Sequence, residues 1–585
     1  MKKTLIIGKQ KYLKKNNVYI SEWCNDNYHS IPRNYFFKSS INKKKNLLYF
    51  NRLYKKYYKG LEKYLIDSLK KNHQTEYDNR DWKILISQWL NWYIKIIINR
   101  FFIFNECINK KIYKIDFFLI KKIRLNSQGT FDICKACDDP YWNAQVYYKI
   151  FLFLNIKKNF HLHYKKNYKI EDYNYPYNYS FKLKFYNFIS KIICKKNDIF
   201  FIGDYFPKFF KFKLFLKLKQ FPSLWHKLPF CYSETNTKLR QKLSKKKTFN
   251  KDLIKSFLYS EIFNFLPNCL LEGLNKNKKA AEKLPYPKDP KIIFTANNYN
   301  SDELFKHWLI KKIKKGTKYF TGQHGTAYEN NMFQHSYPPE ILTSDRFFTW
   351  GWKYKDQTFL KKNIFKNLFV FNVASSKQYS PTYAKKKIII ILPMRFPNRY
   401  AWNSFENYSN VINLVKSFFK KINKTIITNI TLRMYNMGNY SIKNSKENKN
   451  YLKIFKKITK QSKIDLGSKK INLPLMNNHF PIFFYISTGV LEMIALNKPF
   501  LLVISNYEWT LIPKKIINEY NQLYQCKILH KNVKTASDLI NENYQNFDKW
   551  WLDTKRQSVL KNFRDKYARY SNNPINEFAD KLLKK

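Results

Sequence analysis

Strands alternating with helices along most of the sequence predict an α/β protein, most simply two Rossmann-like domains facing a cleft, with helical additions in the N-terminal half. Three observations lead there. Residues 482–504 read as buried strand, short helix and buried strand, because 482–486 and 500–504 are apolar runs without polar alternation. One series of apolar runs, each closed by turn residues and followed by a helical stretch, fills 291–352, and a second begins at Lys387. Between the two series, residues 353–386 hold few strand runs and more Lys, Asn and Ser, as an interdomain crossing does. The chain therefore divides into 1–375, 376–545 and a helical tail, 546–585.

In order, residues 4–7 and 18–20 are short apolar runs expected to be strands. The second ends in Ser21-Glu22-Trp23-Cys24, and polar groups at the carboxyl end of a strand are where open α/β sheets hold ligands, which makes Glu22 a cleft candidate. Residues 45–72 carry Leu, Tyr and Ile at helical spacing with lysines between, an amphipathic helix. The stretch from Asp81 to Tyr93 continues as a second helix, and its tryptophans are read as core fillers. Residues 107–270 mix Phe, Tyr and Lys without a clean period and are expected to be mainly helical, with a strand at 199–202 before Gly203-Asp204-Tyr205.

Tyr286-Pro287-Lys288-Asp289-Pro290 is a turn that launches a strand at 291–294, and Asn297, Asn298 and Asn300 follow its end. A helix over 302–313 leads to a strand at 318–321, which runs into Gly322-Gln323-His324-Gly325-Thr326. A strand from Asp345 to Trp350 closes the first series. In the second series the strand 387–392 precedes Arg395 and Arg399, a helix near 405–421 follows, and a strand at 426–432 ends in Arg433. With 464–466 and the 482–504 unit this makes at least four parallel strands. One long helix is expected over 547–570.

Composition narrows the function less than it first suggests. Lys and Arg number 109 against 41 Asp and Glu, a formal charge of +68. The lysines are spread over the whole length, in segments that read as buried strands as much as elsewhere. Uniform basicity predicts attraction to polyanions and anionic membrane surfaces at low salt rather than a dedicated nucleic-acid site, and no zinc-finger, RNP or helix-turn-helix pattern is present. Eight cysteines include only one pair with metal or redox spacing, Cys134 and Cys137. Without a second pair or nearby histidines to complete a zinc site, they read as bystander thiols of a reducing compartment. Leu5, Ile6 and Ile7 are too few for a signal-peptide core, and Glu492, Lys498 and Pro499 interrupt the apolar window at 480–505. The expected location is the cytoplasm, with peripheral contact at the inner membrane face.

Candidate chemistry concentrates at two places. Ser487, Thr488 and Gly489 supply small and hydroxyl-bearing residues where the chain leaves a strand and enters a helix, so the free N–H groups of the first turn form an anion socket; the plainer alternative is a helix cap. Glu492 then either complements the helix dipole or binds ribose hydroxyls. Arg395 and Arg433, each after a strand, put planar cations on the same edge. At the other place His324 stands between glycines at a strand end, where an imidazole can act as a general base for a hydroxyl or contact a departing phosphate. Gln323, Gly325 and Thr326 flank it with small or neutral hydrogen-bonding groups. There is no paired-Asp signature, P-loop or GxGxxG, so neither a metal nor a nicotinamide cofactor is implied.

The ordered set Glu22-Trp23-Cys24, Trp82 to Trp89, Ile293 to Asn297 with Phe305-Lys306 and Trp308, Gly322-Gln323-His324-Gly325, Asp345 through Trp350-Gly351-Trp352, Leu432-Arg433, Ser487-Thr488 with Leu491-Glu492 and Asn497-Lys498-Pro499, and Trp550-Trp551 resembles a family of bacterial transferases encoded near surface-polysaccharide genes. Their C-terminal parts are similar to capsule polysaccharide biosynthesis proteins and CDP-glycerol glycerophosphotransferases. The resemblance runs nearly end to end. It implies a GT-B-like fold and transfer of a sugar, such as a nonulosonic acid from a CMP-linked donor, to a surface-glycan or lipid-linked acceptor; without a metal signature, the N–H groups and arginines are expected to replace a metal. It also implies that His324 acts at the reacting centre while Ser487, Thr488 and Glu492 hold the donor nucleotide. Glycerophosphate or polyol-phosphate transfer is the neighbouring alternative, and a non-catalytic polyanion-binding protein the alternative of another class. The chain departs from the family pattern at Thr326-Ala327-Tyr328-Glu329 and around Gln334-His335-Ser336, on the acceptor side of the expected site.

Overall fold

The computed structural model describes residues 3–25, 32–41, 43–110, 112–121, 123–165, 179–245, 247–249, 252–326, 328, 338–353, 364–393, 408–434, 446–459, 461–467, 471 and 476–584. Within them the chain builds three sheets whose strand pairs are all parallel. The first contains β1 (Lys3–Ile7), β2 (Asn17–Tyr19), β3 (Ile112–Leu119) and β4 (Asn159–Tyr164) in the order β2-β1-β3-β4. The second runs β5 (Phe200–Phe201), β6 (Ile292–Thr295), β7 (Lys318–Gly322), β8 (Arg346–Thr349) and β9 (Phe365–Asn367) in sequence order. The third holds β10 (Lys387–Ile391), β11 (Ile430–Arg433), β12 (Lys463–Asp465), β13 (His479–Phe483), β14 (Leu501–Val503) and β15 (Leu529–His530), ordered β12-β11-β10-β13-β14-β15.

The expected α/β class and parallel sheets are present, and the first sheet is an addition to the two that the sequence suggests. Its strands β1 and β2 match the apolar runs at 4–7 and 18–20, but β3 and β4 lie in the aromatic and lysine-rich stretch 107–270, where Lys114 and Asp116 break the apolar run of β3 and histidines that of β4. The strand expected at 426–432 starts later, after the turn of helix Lys424–Ile427, and the opening strand of the 482–504 unit is shifted back to β13. β9 lies inside the expected crossing and joins the second sheet. The long helix expected over 547–570 is two, Phe547–Trp551 and Thr554–Tyr567, because Asp553 caps the second through the backbone N–H of Arg556.

Helix Asn79–Ile108 connects the first two layers. A reciprocal capping box between Asp78 and Asp81 starts it, and it packs against Lys44–His73, Pro140–Phe153 and Glu303–Lys314 with Trp82 and Trp89 fully buried. The central strand β10 buries isoleucines on both faces, as a strand covered on two sides must. Ile388 and Ile390 belong to the core cluster that includes Val411, Val415 and Phe418 of the helix Tyr408–Lys421, whereas Ile389 and Ile391 share an apolar cluster with Phe294, Phe348, Trp350 and Phe371 of the second sheet and its exit. Helix Pro574–Leu583 returns to that same cluster, placing the Phe578 ring against Phe201, Phe206, Phe294, Phe348 and Phe371. Second sheet, third sheet and C-terminal helix therefore have one continuous core. Among the described residues no helix is long and apolar enough to cross a membrane.

Candidate functional site

The parallel second sheet sends the ends of β5, β6 and β7 to one edge, and the loops that follow them meet at His324. Gly322 ends β7 with no room for a side chain, since a Cβ there would lie 2.5 Å from the Phe371 ring. Gln323 is turned inward. Its Oε1 accepts from the Trp350 backbone N–H at 2.9 Å and the Trp352 indole N–H at 2.7 Å, and its Nε2 donates to the Gly325 carbonyl at 2.9 Å. This side chain is a brace that holds the His324 loop against the end of β8, not a group offered to a ligand.

His324 points the other way, into an aromatic cage. The Tyr328 hydroxyl lies 2.7 Å from its Nδ1 and donates to Glu340 Oε1 at 2.6 Å, while the Tyr299 hydroxyl lies 3.2 Å from the same Nδ1. A phenol has one proton. With Tyr328 donating its hydrogen bond to Glu340, its oxygen is left to accept one from His324, an arrangement that matches the tautomer with hydrogen on Nδ1 and a lone pair on Nε2. Enclosure by protein lowers the His324 pKa to about 4, so the ring is neutral near neutral pH. Burial raises the Glu340 carboxyl, and the Tyr328 and Tyr299 hydroxyls oppose that rise by bonding to its charged form. The Thr321 hydroxyl donates to the Glu340 carbonyl at 2.7 Å, which fixes the short helix Pro339–Thr343 beside β7. Tyr205 forms the outer wall: its ring lies nearly parallel to His324 with centroids 6.3 Å apart, and its hydroxyl accepts from Asn297 Nδ2 at 2.7 Å.

Across the loop lies the start of helix Thr488–Ala495, in the third sheet. The Val490 N–H donates to the Ser487 carbonyl at 3.1 Å, which leaves the Thr488 and Gly489 N–H groups of the first turn without an intrahelical acceptor. Ser487 occupies the cap position in extended backbone, yet its side chain makes no capping bond, and its Oγ is buried without a hydrogen-bond partner although the residue is only 7% exposed. The plain cap reading thus lacks its defining hydrogen bond. The Thr326 N–H donates to Thr488 Oγ1 at 3.3 Å, and a Cβ on Gly325 would approach that oxygen to 2.8 Å. The two lips expected to bound an open groove therefore touch, and glycine is what permits the approach. Beside them the Ile486 N–H donates to Glu508 Oε1 at 2.6 Å.

The remaining candidates divide. Asn297 is brought to the His324 group through Tyr205. Glu492 lies beyond the first helical turn, where its Oε1 accepts from Asn372, so it packs the exit of the second sheet against the helix instead of complementing the dipole. Arg433 stands at the end of β11, and Asp465 at the end of β12 shares its charge. Glu22 opens a one-turn helix after β2 on the first sheet and is not among the groups that meet His324. Arg395 lies outside the described residues. Tyr205, Tyr299, Tyr328, Glu340 and Glu508 were not anticipated. Four of these five follow or precede recognised strands, and position at strand ends is the signal that could have found them; 45 tyrosines in the chain drown it.

The family model of the LIC12162 family transferases matches residues 4–582. No curated protein matches the chain. Two solved structures of the wall teichoic acid polymerase TagF are distant likenesses. The one soaked with CDPG is 11% identical and covers 68% of this chain and 92% of its own, with a TM-score of 0.32. The other is 14% identical over 52% of this chain and 84% of its own, with a TM-score of 0.30.

Proposed function

The chain belongs to the LIC12162 family transferases, and from that premise we propose that it moves a sugar from a nucleotide-activated donor to a hydroxyl of a surface-glycan or lipid-linked acceptor. In this reading His324 Nε2 takes the proton of the acceptor hydroxyl as its oxygen bonds to the anomeric carbon. The bond from that carbon to the phosphate oxygen breaks, and its electron pair leaves on the nucleotide phosphate. The N–H groups opening helix Thr488–Ala495 and the Ser487 hydroxyl receive the developing charge.

One observation carries the reading. A neutral imidazole whose Nδ1 faces two tyrosine hydroxyls lies on a loop hydrogen-bonded to a helix start whose cap hydroxyl is buried and unpaired. An orphaned hydroxyl of that kind costs about 1–3 kcal/mol, which a bound phosphoryl oxygen would recover. Donor entry parts the Thr326–Thr488 bond, a step costing roughly 1 kcal/mol. Neutral His324 fits a base better than a cationic phosphate contact.

The test is a donor screen by mass spectrometry with the purified chain, covering CMP-linked nonulosonic acids, other nucleotide sugars and CDP-glycerol. The expected result is consumption of a nucleotide sugar with release of the nucleotide. Consumption of CDP-glycerol alone would move the assignment to glycerophosphate transfer. Nucleotide-independent binding of polyanions with no donor consumed would overturn the transferase mechanism.

A further inference from the structure

The first sheet ends in an edge strand with little to hold it. Of the six residues of β4 only Leu162 is half-buried, and among the described residues the strand pairs with β3 alone. Their register sets Asp116 opposite His161 and Phe118 opposite His163. Residues two apart on a strand share a face, so these four side chains line one face of the edge. Asp116, His161 and His163 each bring one ligand atom to within 4.8 Å of the others, the one group of three His, Cys, Asp or Glu residues that close among the described residues. The His163 ring stacks on Phe118 with centroids 4.5 Å apart, which fixes its plane, and its Nε2 lies 3.8 Å from Asp116 Oδ2. Asp116 Oδ1 is buried and accepts no hydrogen bond, with the Lys114 ammonium 3.3 Å away.

We propose that Asp116, His161 and His163 bind a divalent cation of the zinc class, which clips the edge strand β4 to β3. Two imidazoles and one carboxylate are the nitrogen and oxygen set that suits Zn²⁺, with a fourth position left for water. Ligand atoms of a tetrahedral zinc site stand about 3.3–3.5 Å apart, as bond lengths near 2.0–2.2 Å require, so the three ligand atoms draw together from their present spacing when the ion binds. Lys114 already marks the carboxylate as a cation-binding group, and its flexible stem lets the ammonium withdraw when a metal takes its place. The clip supplies what the strand lacks in buried apolar surface. It lies on a different sheet from His324 and has no part in the transfer step.

The test uses the full chain, stripped with a chelator and titrated with Zn²⁺ by calorimetry, with amide hydrogen exchange read over residues 159–164. One equivalent should bind and slow exchange in β4, and His161→Ala/His163→Ala should lose both effects while exchange in the second and third sheets stays as it was. Lys114→Met, which removes the competing ammonium, should tighten binding several-fold. Zinc binding unchanged in the double variant, binding without slower exchange in β4, or weaker binding in Lys114→Met would each overturn the proposal. Cobalt(II) substitution adds an independent readout: a tetrahedral visible spectrum supports the site, and an octahedral one in the wild type contradicts the ligand set.

Discussion

At the level of single residues, the proposed base chemistry turns on which nitrogen of His324 carries hydrogen. The Tyr328 hydroxyl decides this, because it gives its proton to Glu340 and offers His324 an acceptor. Tyr328→Phe removes that acceptor. Imidazole ¹⁵N NMR should then show the His324 tautomer pattern losing its Nδ1–H character, and kcat should fall about 10- to 100-fold, a fraction of what a general base supplies. An unchanged tautomer would disconnect Tyr328 from the base whatever the rate does. The lowered pKa, about 4, carries a second expectation. The acid limb of the rate that reports His324 should fall near pH 4 and not near 6.5. Stability moves in the same sense: between pH 6.5 and 4 the unfolded chain binds a proton that the folded ring refuses, so this residue's contribution is lost as pH falls through that window. His324 was legible in the sequence because glycines flank it at a strand end. Its partners were not. Tyr328 lies where the chain departs from the family pattern, and Glu340 arrives from a separate short helix through a contact that no local spacing encodes.

At the level of elements, the unit β13, helix Thr488–Ala495 and β14 was readable as strand, turn, helix and strand because two apolar runs bracket small hydroxyl residues. Its edges moved by a few residues, since Phe484, Tyr485 and Ile486 are apolar enough to pass for strand while serving the loop at its end. The loop facing it predicts a contrast between two glycines. Gly322→Ala drives a methyl into Phe371 of the shared core, at 2.5 Å, and should cost about 1–3 kcal/mol in chemical denaturation as overpacking does. Among the described residues, Gly325→Ala meets only the Thr488 hydroxyl, at 2.8 Å. It should leave stability within about 1 kcal/mol, the worth of the single hydrogen bond at risk, and raise the donor KM. Equal losses of stability in the two variants would contradict the assignment of one glycine to the core and the other to the seam.

At the level of the whole molecule, the second and third sheets act as one body because a common core and buried polar links join them to the C-terminal helices. The Asp548 carboxylate accepts from Lys386 Nζ at 3.0 Å, from the Tyr379 hydroxyl and from the Thr382 and Tyr383 N–H groups, with both charged side chains at most 1% exposed. Breaking such a pair from one side leaves a buried charge, so Asp548→Asn should destabilise by about 3–5 kcal/mol. The Asp548 carboxyl is held below its usual range, chiefly by hydrogen bonds from Lys386 and Tyr379 against the opposing effect of burial. Its contribution is present above the ordinary carboxylate pKa and lost as pH falls through the lowered one. The parallel α/β class was visible in alternating runs, and so were β1 and β2 of the first sheet, whereas β3 and β4 were not, because charged or histidine residues break up their apolar and aromatic ones. Net charge was the least informative signal of all. It predicts salt-sensitive attraction to polyanions, while donor binding at the helix start should persist at high salt.

In the proposed reaction His324 performs base chemistry and not donor binding. The most direct measurement compares turnover and nucleotide binding in His324→Ala with the full-length wild type, using the donor found in the screen. Turnover is predicted to fall about 10²- to 10⁴-fold with nucleotide affinity changed by no more than a few-fold. Full turnover in the variant would contradict the account.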